Sequence, residues 1–176
     1  AVKQGNQLYN TLLKANMHFV PEEGDLYAAA DDLVAELEKK GRKPYLIPVG
    51  GSTPLGALGY VESTKEVIEQ GKQMGVTFGH AFIALGSAGT QAGAEVESRE
   101  KCPSMRIHGV SVSRGAESQK KLVAEMTNKV YALLDIDKTV GPEDVIVHDE
   151  YYGEKYAVPT EAGNEAIRLV AQTEAI

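Results

Sequence analysis

The sequence lacks the features of a secreted, membrane-spanning or nucleic-acid-binding protein. Its one cysteine, Cys102, cannot form a disulfide within the chain, which favours a reducing compartment. No apolar run approaches the roughly 18 residues that span a bilayer, and residues 1–6 do not have the apolar pattern expected of a signal peptide. Acidic residues outnumber basic ones by 25 to 18, and the basic residues form no stripe that could neutralise phosphates. We expect a cytoplasmic protein without a nucleic-acid or membrane partner.

The chain has the composition of a folded domain. Its 176 residues and its hydrophobic content of 43% are ordinary for a globular protein with a real core. It begins without Met and ends inside an amphipathic pattern that no glycine or proline stops. We therefore expect a single unit, residues 1–176, that belongs to a longer polypeptide.

Helical and strand patterns alternate along the chain. Apolar residues recur at helical spacing from Leu26 to Leu37, with Asp25 as the expected N-cap and Gly41 as the expected stop. Thr53 and Pro54 are expected to begin the next helix. Later helices are predicted at 90–101, 122–134 and 162–170. Short apolar runs predict strands at 45–49, 80–85, 106–112 and 145–147.

This alternation predicts the α/β class. Strands that are apolar throughout indicate a mostly parallel, twisted sheet with helices on both faces. Ligands of such sheets bind at the carboxyl ends of the strands. The loops that follow the predicted strands are therefore the first places to look for a site.

A glycine-rich loop follows the strand at 80–85, with the sequence Gly86-Ser87-Ala88-Gly89-Thr90. Free backbone N–H groups at the start of the next helix, together with the helix dipole, would converge there and suit an anion. A tight turn without a ligand is an equally good interpretation of so short a segment. The lysine of a nucleotide-binding P-loop is absent and the spacing does not fit G-x-G-x-x-G, which favours a small phosphorylated ligand.

Two glycines, Gly56 and Gly59, lie inside a predicted helix, where each costs about 1 kcal/mol relative to alanine. We expect another part of the molecule to approach that helix closely, by packing rather than by binding a ligand. The preceding residues, Gly50, Gly51 and Ser52, end a predicted strand and are better ligand candidates.

Four motifs together resemble one enzyme family. Tyr45 to Ser63, Gly86 to Gly93, Gly109 to Arg114 and Tyr156 to Leu169 are similar, in this order, to the D-cysteine desulfhydrase/1-aminocyclopropane-1-carboxylate deaminase family. This family, which also contains L-cysteate sulfo-lyase, belongs to the fold-type-II pyridoxal-phosphate enzymes. The resemblance implies an incomplete tryptophan-synthase-β-like fold and a homodimer. It also implies that residues 1–176 correspond mainly to the large cofactor-binding domain.

The resemblance assigns roles to particular residues. It implies that Gly86, Ser87, Ala88, Gly89 and Thr90 hold the phosphate of pyridoxal 5'-phosphate. Tyr156 would lie near the cofactor and act in catalysis, by orienting the substrate or by transferring a proton. Gly51 and Ser52 would border the substrate.

The resemblance also implies an activity for the parent protein. That activity is a carbon–sulfur lyase or deaminase reaction on a small amino acid. The preferred substrate is D-cysteine, converted to pyruvate, sulfide and ammonia. The alternatives are 1-aminocyclopropane-1-carboxylate and L-cysteate.

The chain differs from the family in the residues that bind the reactive part of the cofactor. The family binds its cofactor through a lysine that follows Gly-Gly-Asn, and the nearest match, Gly5-Asn6-Gln7, has glutamine at that place. The family's final strand has no counterpart either. We expect the 176-residue chain to be inactive alone, and a non-catalytic phosphate-binding module is the alternative of another class.

The four histidines, His18, His80, His108 and His148, are scattered in the sequence without metal-ligand spacing. We expect ordinary surface or strand histidines and no metal site.

Overall fold

The computed structural model describes residues 4–21 and 23–175, which fall into two compact units, Ala1–Ile47 and Pro48–Ile176. The first unit contains helices α1 (Gly5–Leu12) and α2 (Leu26–Lys39). The Asp25 carboxylate accepts hydrogen bonds from the backbone N–H groups of Tyr27 and Ala28, at 2.8 and 3.2 Å. This confirms the predicted N-cap of α2.

The predicted strand at 45–49 is wrong. Residues 42–48 form no regular element, and Val49–Gly51 form a 3₁₀ turn in which Gly50 has a φ of 73°. A strand requires a hydrogen-bonded partner, and none pairs with this segment in the described part of the chain. The Tyr45 side chain is consequently 79% exposed.

The second unit is a parallel sheet with connecting helices. Its strands are β1 (His80–Leu85), β2 (Arg106–Ser111) and β3 (Ile146–His148), paired in that order and all parallel. Its helices are α3 (Pro54–Gln73), α4 (Gly89–Lys101), α5 (Ala116–Leu133) and α6 (Glu161–Glu174). Helices α4 and α5 connect successive strands, as parallel pairing requires. The predicted α/β class is confirmed.

The core lies between one face of the sheet and helices α3, α4 and α5. Alternate strand residues, such as Leu85 and Ile107, point to this face and are almost fully buried. On the opposite face, Phe82 is 68% exposed.

No helix within residues 4–21 and 23–175 is long and apolar enough to cross a membrane.

Helices α3 and α4 approach closely at a glycine that the sequence did not single out. A Cβ atom on Gly93 of α4 would lie 2.4 Å from the carbonyl oxygen of Ala57 and 3.0 Å from the backbone nitrogen of Val61. The expected close approach to α3 therefore exists, but not at Gly59, where a Cβ atom would have no described atom within 4 Å. At Gly56 the approach is local, because a Cβ would lie 2.4 Å from the Gly51 carbonyl oxygen.

Three of the four histidines form a row across the open face of the sheet. His80 Nδ1 lies 2.9 Å from His108 Nε2, and His108 Nδ1 lies 3.0 Å from His148 Nε2. Phe82 stacks on the His108 ring at a centroid distance of 4.6 Å. The prediction of strand histidines is confirmed for these three. Their proximity was not predicted, because strand pairing joins residues that are distant in sequence. No group of three or more His, Cys, Asp or Glu side chains in the described ranges is arranged to hold a metal ion.

The histidine row should make stability depend on pH. Burial, followed by the charges of His80, His148 and Arg106, lowers the pKa of His108. Because the folded-state pKa lies below the unfolded value of about 6.5, protonation favours the unfolded state. The contribution is present above pH 6.5 and is lost as the pH falls through the folded-state pKa. We expect the urea midpoint to fall between about pH 7.5 and about pH 5.5, and to fall less in His108→Gln.

The comparison variant is His18→Gln in the first unit, which removes a histidine outside the row and shows whether the loss of any histidine alters the dependence on pH. Equal losses in wild type and His108→Gln would show that another group causes the acid sensitivity.

Candidate functional site

The glycine-rich loop joins β1 to α4 at the carboxyl edge of the sheet. Ala88 is the N-cap of α4 and has a left-handed backbone with a φ of 73°, which costs a non-glycine residue about 1–2 kcal/mol. Strained backbone of this kind often marks a functional position. The loop lines a cavity of about 210 Å³, to which Gly86, Ser87, Ala88, Thr90 and also Tyr156 contribute.

The first turn of α4 points backbone N–H groups towards the loop. The carbonyl oxygen of Ala88 accepts the helical hydrogen bond from the Ala92 N–H at 2.9 Å, while the N–H groups of Thr90 and Gln91 belong to the first turn, which has no intrahelical acceptor. The Gly89 N–H donates to the Ser52 hydroxyl at 3.3 Å. The loop therefore supplies donors and the positive end of the α4 dipole.

A second glycine loop packs against the first. The Ser52 hydroxyl donates to the Ser87 hydroxyl oxygen at 2.7 Å. Gly50 lies so close to Ser87 that a Cβ atom on Gly50 would be 2.1 Å from Ser87 Oγ. The structure thus brings Ser52 to the glycine-rich loop, whereas the substrate-binding role expected for Gly51 and Ser52 stays a prediction.

Two side chains that were not predicted from the sequence form hydrogen bonds to the backbone of the loop. Gln119 of α5 is fully buried and donates from Nε2 to the carbonyl oxygens of Leu85 and Gly86, at 3.3 and 3.1 Å. The Arg114 guanidinium donates to the same Gly86 oxygen at 3.1 Å. Gln119 had a signal in the sequence, since it lies four residues before Val123 on the apolar face of α5. A polar residue at such a position requires a partner.

Tyr156 lies in the segment between β3 and α6. Its side chain is 69% exposed and lines the cavity beside Ser87 and Thr90. The next residue, Ala157, has a left-handed φ of 63°. The structure therefore brings Tyr156 to the glycine-rich loop, and its catalytic role stays a prediction.

The lining of the cavity suits a phosphate group. The residues that surround it offer backbone N–H groups and the hydroxyls of Ser87, Thr90 and Tyr156, and none of them carries a carboxylate. Small residues at Gly86 and Ala88 allow an anion to approach the backbone. The residues present therefore fit the phosphate of a small ligand.

Comparison with known protein families identifies the class of protein to which this fold and loop belong. The family model described as pyridoxal-phosphate dependent enzyme matches residues 1–176. The chain belongs to this family, and pyridoxal phosphate is the family's cofactor.

The chain is also similar to particular members of this family. The chain is 36% identical over 172 residues to D-cysteine desulfhydrases of Serratia proteamaculans (strain 568) and Salmonella typhi, covering 98% of this chain and 51% of each relative. A crystal structure of an ACC deaminase homologue matches with a TM-score of 0.83 and 29% sequence identity, over 98% of this chain and 52% of that chain. The chain therefore spans about half the length of the relatives it matches.

Proposed function

We propose that residues 86–90 hold the phosphate of pyridoxal 5'-phosphate in a carbon–sulfur lyase that acts on D-cysteine. The observation that carries the proposal is the strained loop at the start of α4, which faces a cavity lined by hydroxyl and N–H donors. The D-cysteine desulfhydrase relatives support the choice of substrate. The related amino acids 1-aminocyclopropane-1-carboxylate and L-cysteate are the competing substrates.

The chain's own residues have distinct tasks in this proposal. The N–H groups of Thr90 and Gln91 and the Ser87 hydroxyl bind the phosphate, and the α4 dipole favours its charge. Gln119 and Arg114 fix the Gly86 carbonyl group and so hold the loop in place. Tyr156, an exposed residue that lines the cavity, orients the substrate or transfers a proton. When bound, the cofactor supplies an electron sink for negative charge at the substrate's α-carbon.

The whole protein is expected to release sulfide from D-cysteine with a higher kcat/KM than it shows for opening 1-aminocyclopropane-1-carboxylate or for desulfonating L-cysteate. The measurement is a comparison of initial rates for the three substrates with the purified whole protein and saturating cofactor. A preference for the cyclopropane ring would assign the sister activity, and a preference for L-cysteate would assign the sulfo-lyase.

A phosphate-binding module without catalysis is the alternative from another class. It is favoured by one observation, that no lysine is among the described residues lining the cavity. Cofactor binding by the whole protein without turnover of any of the three substrates would support this alternative. The homodimer, and the assignment of the chain to the family's large domain, stay predictions.

A further inference from the structure

Ser52 connects two loops that are far apart in the sequence. Its hydroxyl is partly buried and lies between Ser87 Oγ at 2.7 Å and the Gly89 nitrogen at 3.3 Å, residues that follow it by 35 and 37 positions. Both partners belong to the glycine-rich loop. In the described ranges, no other side chain forms a hydrogen bond to Ser87 or to the backbone of Gly89.

The Ser52 hydroxyl connects the Gly89 N–H group to Ser87 Oγ. A serine hydroxyl has one proton to donate and can also accept. The Ser52 oxygen accepts from the Gly89 N–H, and its proton is donated to Ser87 Oγ. The Ser87 proton is then free to be donated elsewhere, and Ser87 lines the cavity. Each donor in such a chain polarises the next, which strengthens the last one.

We propose that Ser52 is a positioning residue that directs the Ser87 hydroxyl proton towards the bound phosphate. This inference rests on the proposed function, in which the glycine-rich loop holds that phosphate. Because the Gly89 N–H donates to Ser52, it does not contact the ligand directly. It instead polarises the Ser52 hydroxyl, which in turn polarises the Ser87 hydroxyl. Without the Ser52 hydroxyl, Ser87 loses the donor that orients it and its proton can turn away from the anion.

A double-mutant cycle tests the proposal, with inorganic phosphate and pyridoxal 5'-phosphate as separate probes in calorimetry on the purified protein. Ser87→Ala should weaken binding by about tenfold, as expected for a charge-assisted hydrogen bond, and Ser52→Ala by somewhat less. The double variant should bind as Ser87→Ala does, because Ser52 acts only through Ser87. Ser52→Thr, which keeps the hydroxyl, should restore most of the affinity.

The control is Ser63→Ala on the exposed side of α3, which should bind both probes like the wild type. Thermal unfolding of each variant identifies any loss that comes from misfolding, and the Gly89 amide signal in a ¹H–¹⁵N spectrum should move in Ser52→Ala before ligand is added. If the losses of the two single variants multiply in the double variant, Ser52 acts independently and the proposal is wrong. Absence of phosphate binding by the wild type would instead overturn the proposed function, and this inference with it.

Discussion

Replacing Gly93 by alanine is expected to destabilise the second unit by about 2 kcal/mol. The new methyl group would meet the Ala57 carbonyl oxygen at 2.4 Å and the Tyr60 Cβ at 2.7 Å. Backbone atoms of α3 cannot rotate away, so the two helices must separate, and overpacking of this kind costs up to about 3 kcal/mol. The better helix propensity of alanine returns about 1 kcal/mol. Urea unfolding of the variant and the wild type measures the difference.

Gly59→Ala is the matched control, because it makes the same change in the helix that Gly93 contacts. No described atom lies within 4 Å of the position that its Cβ would occupy. Only the propensity term applies there, and the variant should gain about 0.5–1 kcal/mol of stability. Equal effects of the two substitutions would mean that α3 and α4 do not pack through Gly93.

Gly50→Ala is expected to weaken phosphate binding by at least about tenfold, the value of a charge-assisted hydrogen bond. The added methyl group would lie 2.1 Å from Ser87 Oγ, so Ser87 must leave its position beside the cavity. The φ of 73° at Gly50 adds a strain of about 1–2 kcal/mol for a side chain. Calorimetric titration with phosphate and pyridoxal 5'-phosphate measures the affinity, and unfolding measures the strain.

Gly51→Ala separates these two effects. Gly51 also has a left-handed backbone, with a φ of 61°, but no described atom lies within 4 Å of its Cβ position. The variant should lose a similar amount of stability and keep its affinity for phosphate. If both variants bind phosphate equally well, contact between Gly50 and Ser87 does not control the binding loop.

Local chemistry explains which helix boundaries were predicted correctly. The side chains of the N-caps Asp25 and Thr53 accept hydrogen bonds from N–H groups two or three residues ahead. Such local contacts can be predicted from the order of residues alone. The strand at 45–49 failed for the opposite reason, because apolar residues alone do not provide a pairing partner.

The candidate site was predicted in part. Gly86 to Thr90 were predicted because a strand, a glycine-rich turn and a helix follow one another in the chain. The structure places this loop beside a cavity, and its role in binding phosphate stays a prediction. Ser52 was a ligand candidate because it follows a predicted strand, whereas Tyr156 entered only through resemblance to a family. The structure places both beside that loop. The contribution of Gln119 was missed, since its partners lie 33 and 34 residues away.

The sequence by itself determined the α/β class and the N-caps Asp25 and Thr53, and it predicted an anion site at residues 86–90, because each depends on neighbours within a few positions of the chain. Only the tertiary structure decided that Ser52 contacts Ser87, that α4 meets α3 at Gly93 and that three histidines share one face. Those contacts follow from how strands pair and helices pack, which join residues about 30 or more positions apart. The spacing of residues along the chain therefore does not predict these contacts directly.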